Sequence, residues 1–133
     1  MGWFSWEPKI EKAIISFDLI PILRSLAPDA GIFYNDRDYF IPADPADVMW
    51  ASPSKDYKYI KESRDCDDHV RILRGWLSQK GFGNLLAMDC EIDIPTGRHA
   101  LIAFLQDGKL VFGEPQTGRM IEYPEFNVVR LIV

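Results

Sequence analysis

Hydrophobic and polar positions follow two different periods along this chain. Apolar residues recur at helical spacing between positions 7 and 27, where Pro21 interrupts the run, so we predict one kinked helix or two short ones. A second helical stripe follows Asp65, and it consists of Val70, Leu73, Trp76 and Leu77. After position 85 the apolar runs are short and separated by turn residues, which is typical of strands. The pattern therefore predicts an α+β domain with helices first and an antiparallel sheet second.

Turn and capping residues divide these runs into elements. Asp107-Gly108 between two apolar runs predicts a tight hairpin, and Gln116-Thr117-Gly118 predicts a second turn. Asp44 before Pro45 predicts a short helix to about Ala51, preceded by extended chain around a polar turn. The predicted strands are Leu85 to Ile94, His99 to Leu105, Lys109 to Glu114, Arg119 to Tyr123 and Val128 to Val133.

Composition and charge narrow the function classes. The 133 residues suit one domain, positions 1–133, and the net charge of −5 repels phosphate backbones, so we expect no nucleic-acid partner. No apolar stretch approaches the roughly 18 residues of a spanning helix, so we expect no membrane partner. The amino terminus has no secretory leader pattern. We therefore expect a cytoplasmic protein without a signal peptide, whose two cysteines are free thiols.

Three residues carry candidate chemistry, in the order cysteine, histidine, carboxylate. Cys66 opens the predicted helix, His99 enters an apolar strand, and Glu114 closes the next strand. The Asp107-Gly108 hairpin pairs these two strands, so His99 and Glu114 should lie near the same end of the sheet. A helix start, an imidazole and an orienting carboxylate are the parts of an activated thiol.

Acidic neighbours work against this activation. Asp65, Asp67 and Asp68 surround Cys66 in sequence, and like-charge repulsion from them raises the pKa of a thiol. A nearby cation is therefore needed, and an imidazolium from His99 would supply it.

The motifs that hold these three residues resemble a known family. Asp65-Cys66-Asp67-Asp68, Arg98-His99-Ala100 and Phe112-Gly113-Glu114-Pro115-Gln116 are similar to the papain-like cysteine protease domain at the carboxyl end of a fungal agglutinin. The wider papain and transglutaminase-like group shares them more loosely. The resemblance covers about Tyr39 to Tyr123 and leaves positions 1–38 as a helical extension. It implies a papain-like fold, with the nucleophile helix packed on a C-terminal antiparallel sheet.

The resemblance also implies roles for these residues. Cys66 would be the nucleophile, His99 the general base and acid, and Glu114 the orienting carboxylate of a thiol hydrolase. This hydrolase would cleave an amide or peptide bond in a peptide or protein substrate without a required cofactor. Calcium is implied as an activator. Its candidate ligands are Asp65, Asp67, Asp68 and Gln116.

Two alternatives use the same fold. A transglutaminase-like acyl transferase would employ the same three residues with an amine as acceptor. A non-catalytic binding module, including one of viral origin in a host cytoplasm, is favoured by the absence of a glutamine before Cys66 to complete an oxyanion hole. Trp3, Phe4 and Trp6 would then suit docking to a partner or to a second copy of the chain.

A zinc site is a further hypothesis, because its four donors would use every cysteine and histidine in the chain. They are Cys66, His69, Cys90 and His99. Against this hypothesis, Cys90 lies in an apolar run typical of core, and His69 is expected on a solvated helix face.

Overall fold

Strands occupy more of this chain than the sequence pattern predicts. The computed structural model describes residues 6–60, 65–122 and 127–133. In chain order its elements are β1 Ile10–Ile15, α1 Ser16–Leu26, β2 Gly31–Phe33, β3 Asp38–Pro42, α2 Pro45–Ala51, a 3-10 turn Pro53–Asp56, α3 Cys66–Gln79, β4 Met88–Ile94, β5 Gly97–Gln106, β6 Lys109–Glu114, β7 Arg119–Ile121 and β8 Asn127–Ile132. Among these described helices, none is long and apolar enough to cross a membrane.

The strands form two sheets. Six of them lie in the order β2-β8-β4-β5-β6-β7, and β1 and β3 form a separate antiparallel pair. Within the larger sheet β2 runs parallel to β8, while the other pairs are antiparallel. The longest strand, β5, lies inside the sheet and carries the predicted histidine at its start.

The predicted hairpin between β5 and β6 is confirmed. Gln106 pairs with Lys109, and the two residues between them both have positive φ, 52° at Asp107 and 74° at Gly108. Two consecutive left-handed residues define the turn that matches the twist of paired strands. This turn fixes the register that brings the far ends of β5 and β6 together.

The predicted helix over positions 7 to 27 is half wrong. Positions 10–15 form β1, which pairs with β3, and only Ser16–Leu26 is helical, with Pro21 inside it. Isoleucines are β-branched and fit a strand, and the edge of β3 supplies hydrogen-bond partners that a local period does not show. Of the expected helical extension of positions 1–38, the described residues 6–38 thus contain both strands and a helix.

The predicted fold class is also wrong. A papain-like α+β layout places helices before an antiparallel sheet, whereas here strands precede, separate and follow the helices, and one edge of the sheet is parallel. That parallel pair joins Ile32 to Leu131, about a hundred positions apart along the chain. Local periodicity carries no information about such a pairing.

Each face of the larger sheet covers its own apolar cluster. Leu101, Ala103 and Leu105 of β5 belong to the cluster that includes Leu19 and Leu23 of α1, which we call the α1 face. The alternate residues Ala100, Ile102 and Phe104 belong to the cluster with α2 and α3, which we call the α3 face. This alternation is the period of two of a strand buried on both sides.

Helix α3 begins where the sequence predicts. The Asp65 carboxylate accepts from the third backbone N–H of the helix, and Asp68 Oδ2 accepts from the Asp65 N–H at 3.2 Å, which completes a capping box. Val70, Leu73 and Leu77 are buried on the α3 face. The stripe therefore fixes the helix on the sheet, and the cap fixes where its first turn lies.

Candidate functional site

His99 and Glu114 form a direct pair at the end of the β5–β6 hairpin. His99 Nε2 lies 2.8 Å from Glu114 Oε1, and the two side chains are 19% and 12% exposed. Glu114 Oε2 is buried without a hydrogen-bond partner among the described residues. The hairpin register thus brings together the two side chains that the sequence predicts to meet.

Cys66 lies at the same end of β5, but its contacts are with backbone and with an acid. The Ala100 N–H donates to Cys66 Sγ, and the thiol in turn lies 3.6 Å from Asp67 Oδ1 as a donor. Helix α3 and strand β5 therefore meet at this sulfur. The half-buried thiol packs beside the cluster of the α3 face.

The surroundings of Cys66 favour the neutral thiol. Burial raises the pKa of Cys66 above its ordinary value, and the charges of Asp67 and Asp65 raise it further. The Ala100 hydrogen bond acts in the opposite direction without reversing the result. A thiol with a raised pKa is a poorer nucleophile at neutral pH, because the thiolate is the attacking species.

Strand alternation assigns the imidazole to one face of the sheet. His99 stands opposite Ile92 in the β4–β5 register, and Ile92 belongs to the apolar cluster of the α1 face. Successive side chains of a strand point to opposite faces, so His99 is assigned to the α1 face and Ala100 to the α3 face, where Cys66 packs. Cys66, at the Ala100 N–H, and the His99–Glu114 pair therefore lie at the same end of β5. Their catalytic roles stay a prediction.

His69 is buried, contrary to the expectation of a solvated helix face. Its ring is 0% exposed, and both nitrogens contact backbone carbonyl oxygens at 2.8 Å, Nδ1 that of Asp65 and Nε2 that of Tyr57. The ring of Tyr59 stacks on it with centroids 6.4 Å apart. The helical wheel alone does not reveal this, because the covering chain comes from the segment before α3.

The predicted calcium ligands are used within the described structure for other contacts. Asp65 and Asp68 form the capping box, Asp68 pairs with Arg71 at 3.1 Å, and Asp67 accepts from Cys66. Gln116 lies in the turn after β6, on a different element. Within residues 6–60, 65–122 and 127–133, no three His, Cys, Asp or Glu side chains are grouped to hold a metal. Calcium stays a prediction.

The four candidate zinc ligands lie on different parts of the sheet and of α3. Cys90 is fully buried in the cluster of the α1 face, while Cys66 packs against the α3 face. Burial raises the pKa of Cys90 to about 12, so this thiol stays protonated. His69 already contacts two carbonyl oxygens. The four proposed donors therefore do not share one site.

Sequence reasoning missed three exposed aromatic side chains that lie close together along the chain, which we call the aromatic surface. It consists of Trp50, Tyr57 and Tyr59, which are 62%, 46% and 49% exposed. Lys55 Nζ lies 5.0 Å from the centre of the Trp50 ring and donates to the carbonyl oxygens of Trp50 and Ser52. The signal in the sequence was the density of aromatic residues between positions 50 and 59.

The turn after β6 connects this aromatic surface to the His99–Glu114 pair. The N–H groups of Thr117 and Gly118 both donate to the Glu114 carbonyl oxygen. A Cβ on Gly118, whose φ is +72°, would lie 2.8 Å from Lys55 Cδ. The turn that begins with Glu114 therefore packs directly against the side chain that supports Trp50.

The amino-terminal aromatic residues were expected to dock a partner. Trp6 instead packs within the chain: its indole N–H donates to Asp47 at 2.9 Å, and its ring stacks on Trp76 at 5.0 Å and meets Phe82 edge-on. Trp3 and Phe4 lie outside the described residues. The half-buried Trp6 ties the start of the chain to α2 and α3.

Comparisons with known proteins give a fold and no family. No family model and no curated protein matches the chain. One solved structure, the PSL1a-E64 complex, matches with a TM-score of 0.76 and 20% identity over 91% of this chain and 51% of that one. Polyporus squamosus lectin bound to the human-type influenza-binding epitope Neu5Acα2-6Galβ1-4GlcNAc matches with a TM-score of 0.73 and 17% identity, over 91% and 49%. This chain thus spans about half of each.

These matches correct the family that the motifs resemble. No family model supports the papain-like cysteine proteases, and one of the two neighbours is described as a lectin, so the assignment to that family is corrected to a shared fold alone. The thiol hydrolase function and the peptide or protein substrate are corrected with it, while the roles of Cys66, His99 and Glu114 stay a prediction. Short motifs around a cysteine, a histidine and a glutamate recur in many folds, so their order alone does not specify a family. At this identity the matches show the fold alone.

Proposed function

We propose that this chain is a non-catalytic binding module that holds a glycan on its aromatic surface of Trp50, Tyr57 and Tyr59. The observation that carries the proposal is that these three rings are exposed, and that two of them are held in place. Lys55 lies against the Trp50 ring, and the His69 ring stacks on Tyr59. Rings that are already fixed lose little conformational entropy when a ligand binds.

The chemistry of the surface supports a sugar as ligand. The C–H faces of sugar rings are apolar and stack on exposed aromatic rings, while their hydroxyls need a few placed polar groups. Lys55 and the turn that begins with Glu114 lie beside Trp50 and supply such groups. The lectin that shares the fold is described with a sialylated glycan, which further supports this class of ligand.

The surroundings of Cys66 support binding rather than catalysis. Its pKa is raised by burial and by two aspartates, and the sequence has no glutamine before it to serve as an oxyanion donor. The catalytic roles predicted for Cys66, His99 and Glu114 have their own test, given in the Discussion.

Titration with Neu5Acα2-6Galβ1-4GlcNAc and with the disaccharide Galβ1-4GlcNAc tests the proposal on this chain directly. We expect saturable binding by isothermal calorimetry for at least one of them. Trp50→Ala should weaken glycan binding about tenfold or more, as expected for a central aromatic contact. Trp50→Phe keeps an aromatic ring and should weaken binding less. Tyr59→Ala should act in the same direction.

Phe17 provides the matched control. It is an aromatic residue of α1 that is 83% exposed, and α1 lies on the other face of the sheet. Phe17→Ala should leave the affinity unchanged within about twofold. No binding by the wild-type chain at millimolar sugar, or equal losses in Trp50→Ala and Phe17→Ala, would contradict the proposal.

A further inference from the structure

His69 is the one histidine of the described residues that is completely buried, and its ring nitrogens lie between two stretches of backbone. We infer that His69 is the positioning residue of the aromatic surface, because its ring ties the chain that carries Tyr57 and Tyr59 to the first turn of α3. The role of this surface in glycan binding rests on the proposed function, whereas the contacts by which His69 holds the segment do not.

Two hydrogen-bond contacts carry the inference. His69 Nδ1 lies 2.8 Å from the carbonyl oxygen of Asp65, the residue that caps α3. His69 Nε2 lies 2.8 Å from the carbonyl oxygen of Tyr57, which follows the 3-10 turn. A carbonyl oxygen only accepts, so each contact needs a ring N–H: a neutral imidazole donates to one of the two oxygens, and an imidazolium donates to both. Because His69 belongs to α3, donation from Nε2 to the Tyr57 carbonyl oxygen is enough to tie the chain after the 3-10 turn to this helix.

The stacked ring of Tyr59 is the third contact. Its centroid lies 6.4 Å from that of His69 with an interplanar angle of 16°. Tyr57 contacts His69 through its carbonyl group, and 46% of the residue is exposed. Tyr59 stacks on the imidazole and is 49% exposed. The contacts hold the backbone inward and leave both phenol rings at the surface.

This role differs from simple filling of the core. A residue that only filled space would be replaced by leucine of similar size at small cost, since volume-conserving apolar exchanges are tolerated. Leucine has no donor, so it would leave the Tyr57 carbonyl oxygen without the contact that holds it. Glutamine keeps an N–H donor on a flexible chain and should retain part of the function.

Tryptic cleavage after Lys58 measures the hold on this segment without any ligand. Lys58 is exposed and lies between the two tyrosines. In His69→Leu we expect the native-state cleavage rate to rise about tenfold or more, because local opening of the segment becomes easier. In His69→Gln we expect a rate within about threefold of the wild type.

Val70→Ala is the control for general destabilisation. Val70 is the next residue of α3 and is also fully buried, but it contacts the apolar cluster of the α3 face. At a temperature well below its own melting point, this variant should be cleaved after Lys58 at nearly the wild-type rate. Equal rates in His69→Leu and Val70→Ala would overturn the inference.

A measurement on the wild-type chain keeps the inference testable if His69→Leu does not fold. We expect at least one ring N–H proton of His69 in the proton NMR spectrum that exchanges slowly with solvent, assigned by its loss in His69→Gln. A ring whose protons all exchange rapidly would contradict the proposed contacts.

Glycan titration then separates this inference from the proposed function. His69→Leu should weaken glycan binding at least as much as Tyr59→Ala, and His69→Gln should weaken it less. Faster cleavage with unchanged glycan affinity would show that the hold on the segment has no role in the ligand surface. If the wild-type chain binds no glycan, the proposed function fails, while cleavage and NMR still decide the role of His69.

Discussion

The two faces of the larger sheet bury different kinds of side chain. On the α1 face the buried cluster consists of hydrophobic residues, among them Cys90 and Tyr39, whose hydroxyl accepts from the Asp36 N–H at 3.1 Å. The buried polar residues of the described chain are Ser52, Ser54 and His69, and all three belong to the 3-10 turn, its cap or α3. The Ser52 and Ser54 hydroxyls are 2.9 Å apart, and His69 contacts two carbonyl oxygens.

This difference explains why the aromatic surface lies where it does. Apolar packing tolerates small shifts, whereas a buried polar group needs its partner within hydrogen-bond distance and so fixes the chain that supplies the partner. On the α3 side one of those partners, the Tyr57 carbonyl oxygen, belongs to the segment that carries Tyr57 and Tyr59. Polar burial therefore orients a surface there, while the α1 face supplies stability.

The largest expected effect is a loss of stability when a buried residue of the α1 face is truncated. Leu101 is 0% exposed in its cluster, and Leu101→Ala should lower the free energy of unfolding by about 2–5 kcal/mol, since it removes buried apolar volume and leaves a cavity. Urea unfolding followed by circular dichroism measures this loss. Glycan affinity should not change below the unfolding transition. A loss of glycan affinity as large as that of Trp50→Ala would contradict the view that the α1 face supplies stability and the α3 side orients the ligand surface.

The two cysteines sharpen the comparison through their reactivity. The half-buried Cys66 should react with iodoacetamide at least about tenfold faster than Cys90, whose fully buried thiol has a pKa raised to about 12. Because the pKa of Cys66 is raised as well, its rate should still be increasing with pH above the range where an ordinary thiol levels off. Labelling followed by mass spectrometry gives both rates.

His99→Ala decides whether Cys66 belongs to a reactive site. Strand alternation assigns the imidazole to the α1 face, so we expect the labelling rate of Cys66 to change less than about twofold. Glu114→Gln should behave in the same way. A fall of tenfold or more in a correctly folded His99→Ala variant would show that the ring activates the thiol, and it would overturn the proposal of a module without catalysis.

A smaller effect is expected from Asp89, beneath α3. Burial raises the pKa of Asp89, and the nearby charges of Arg74 and Arg130 only partly oppose this. A carboxyl group with a raised folded-state pKa contributes stability at low pH that is lost as pH rises through that value. Asp89→Asn should therefore raise the melting temperature relative to wild type more at pH 7 than at pH 3. The opposite trend would mean that attraction to Arg74 outweighs burial.

The smallest expected effect concerns calcium. If Asp65, Asp67 and Asp68 bind it, millimolar calcium should raise the melting temperature by a few degrees, and Asp67→Asn should reduce the shift while leaving the capping box of Asp65 and Asp68 in place. Magnesium at the same concentration serves as the control for ionic strength. An unchanged melting temperature would leave these aspartates as helix-capping residues.

Local signals in the sequence were sufficient for part of the fold and part of the site. The cap at Asp65 and the apolar stripe predicted where α3 begins, and Asp107-Gly108 predicted the hairpin. That hairpin in turn predicted that His99 and Glu114 approach each other, and they are 2.8 Å apart. These features depend on neighbours within one turn or across one hairpin, so the chain encodes them locally.

Tertiary structure alone decided the rest. Strand β1 exists because β3 pairs with it, and the parallel contact of β2 with β8 joins distant segments, so neither appears in a local period. The burial of His69 and the raised pKa of Cys66 depend on chain that folds over them from other elements. The sequence by itself thus determined the helix start, the hairpin and the His99–Glu114 pair. Long-range packing determined the fold class, the raised pKa of Cys66 and the aromatic surface. Burial and strand pairing arise only when distant segments meet.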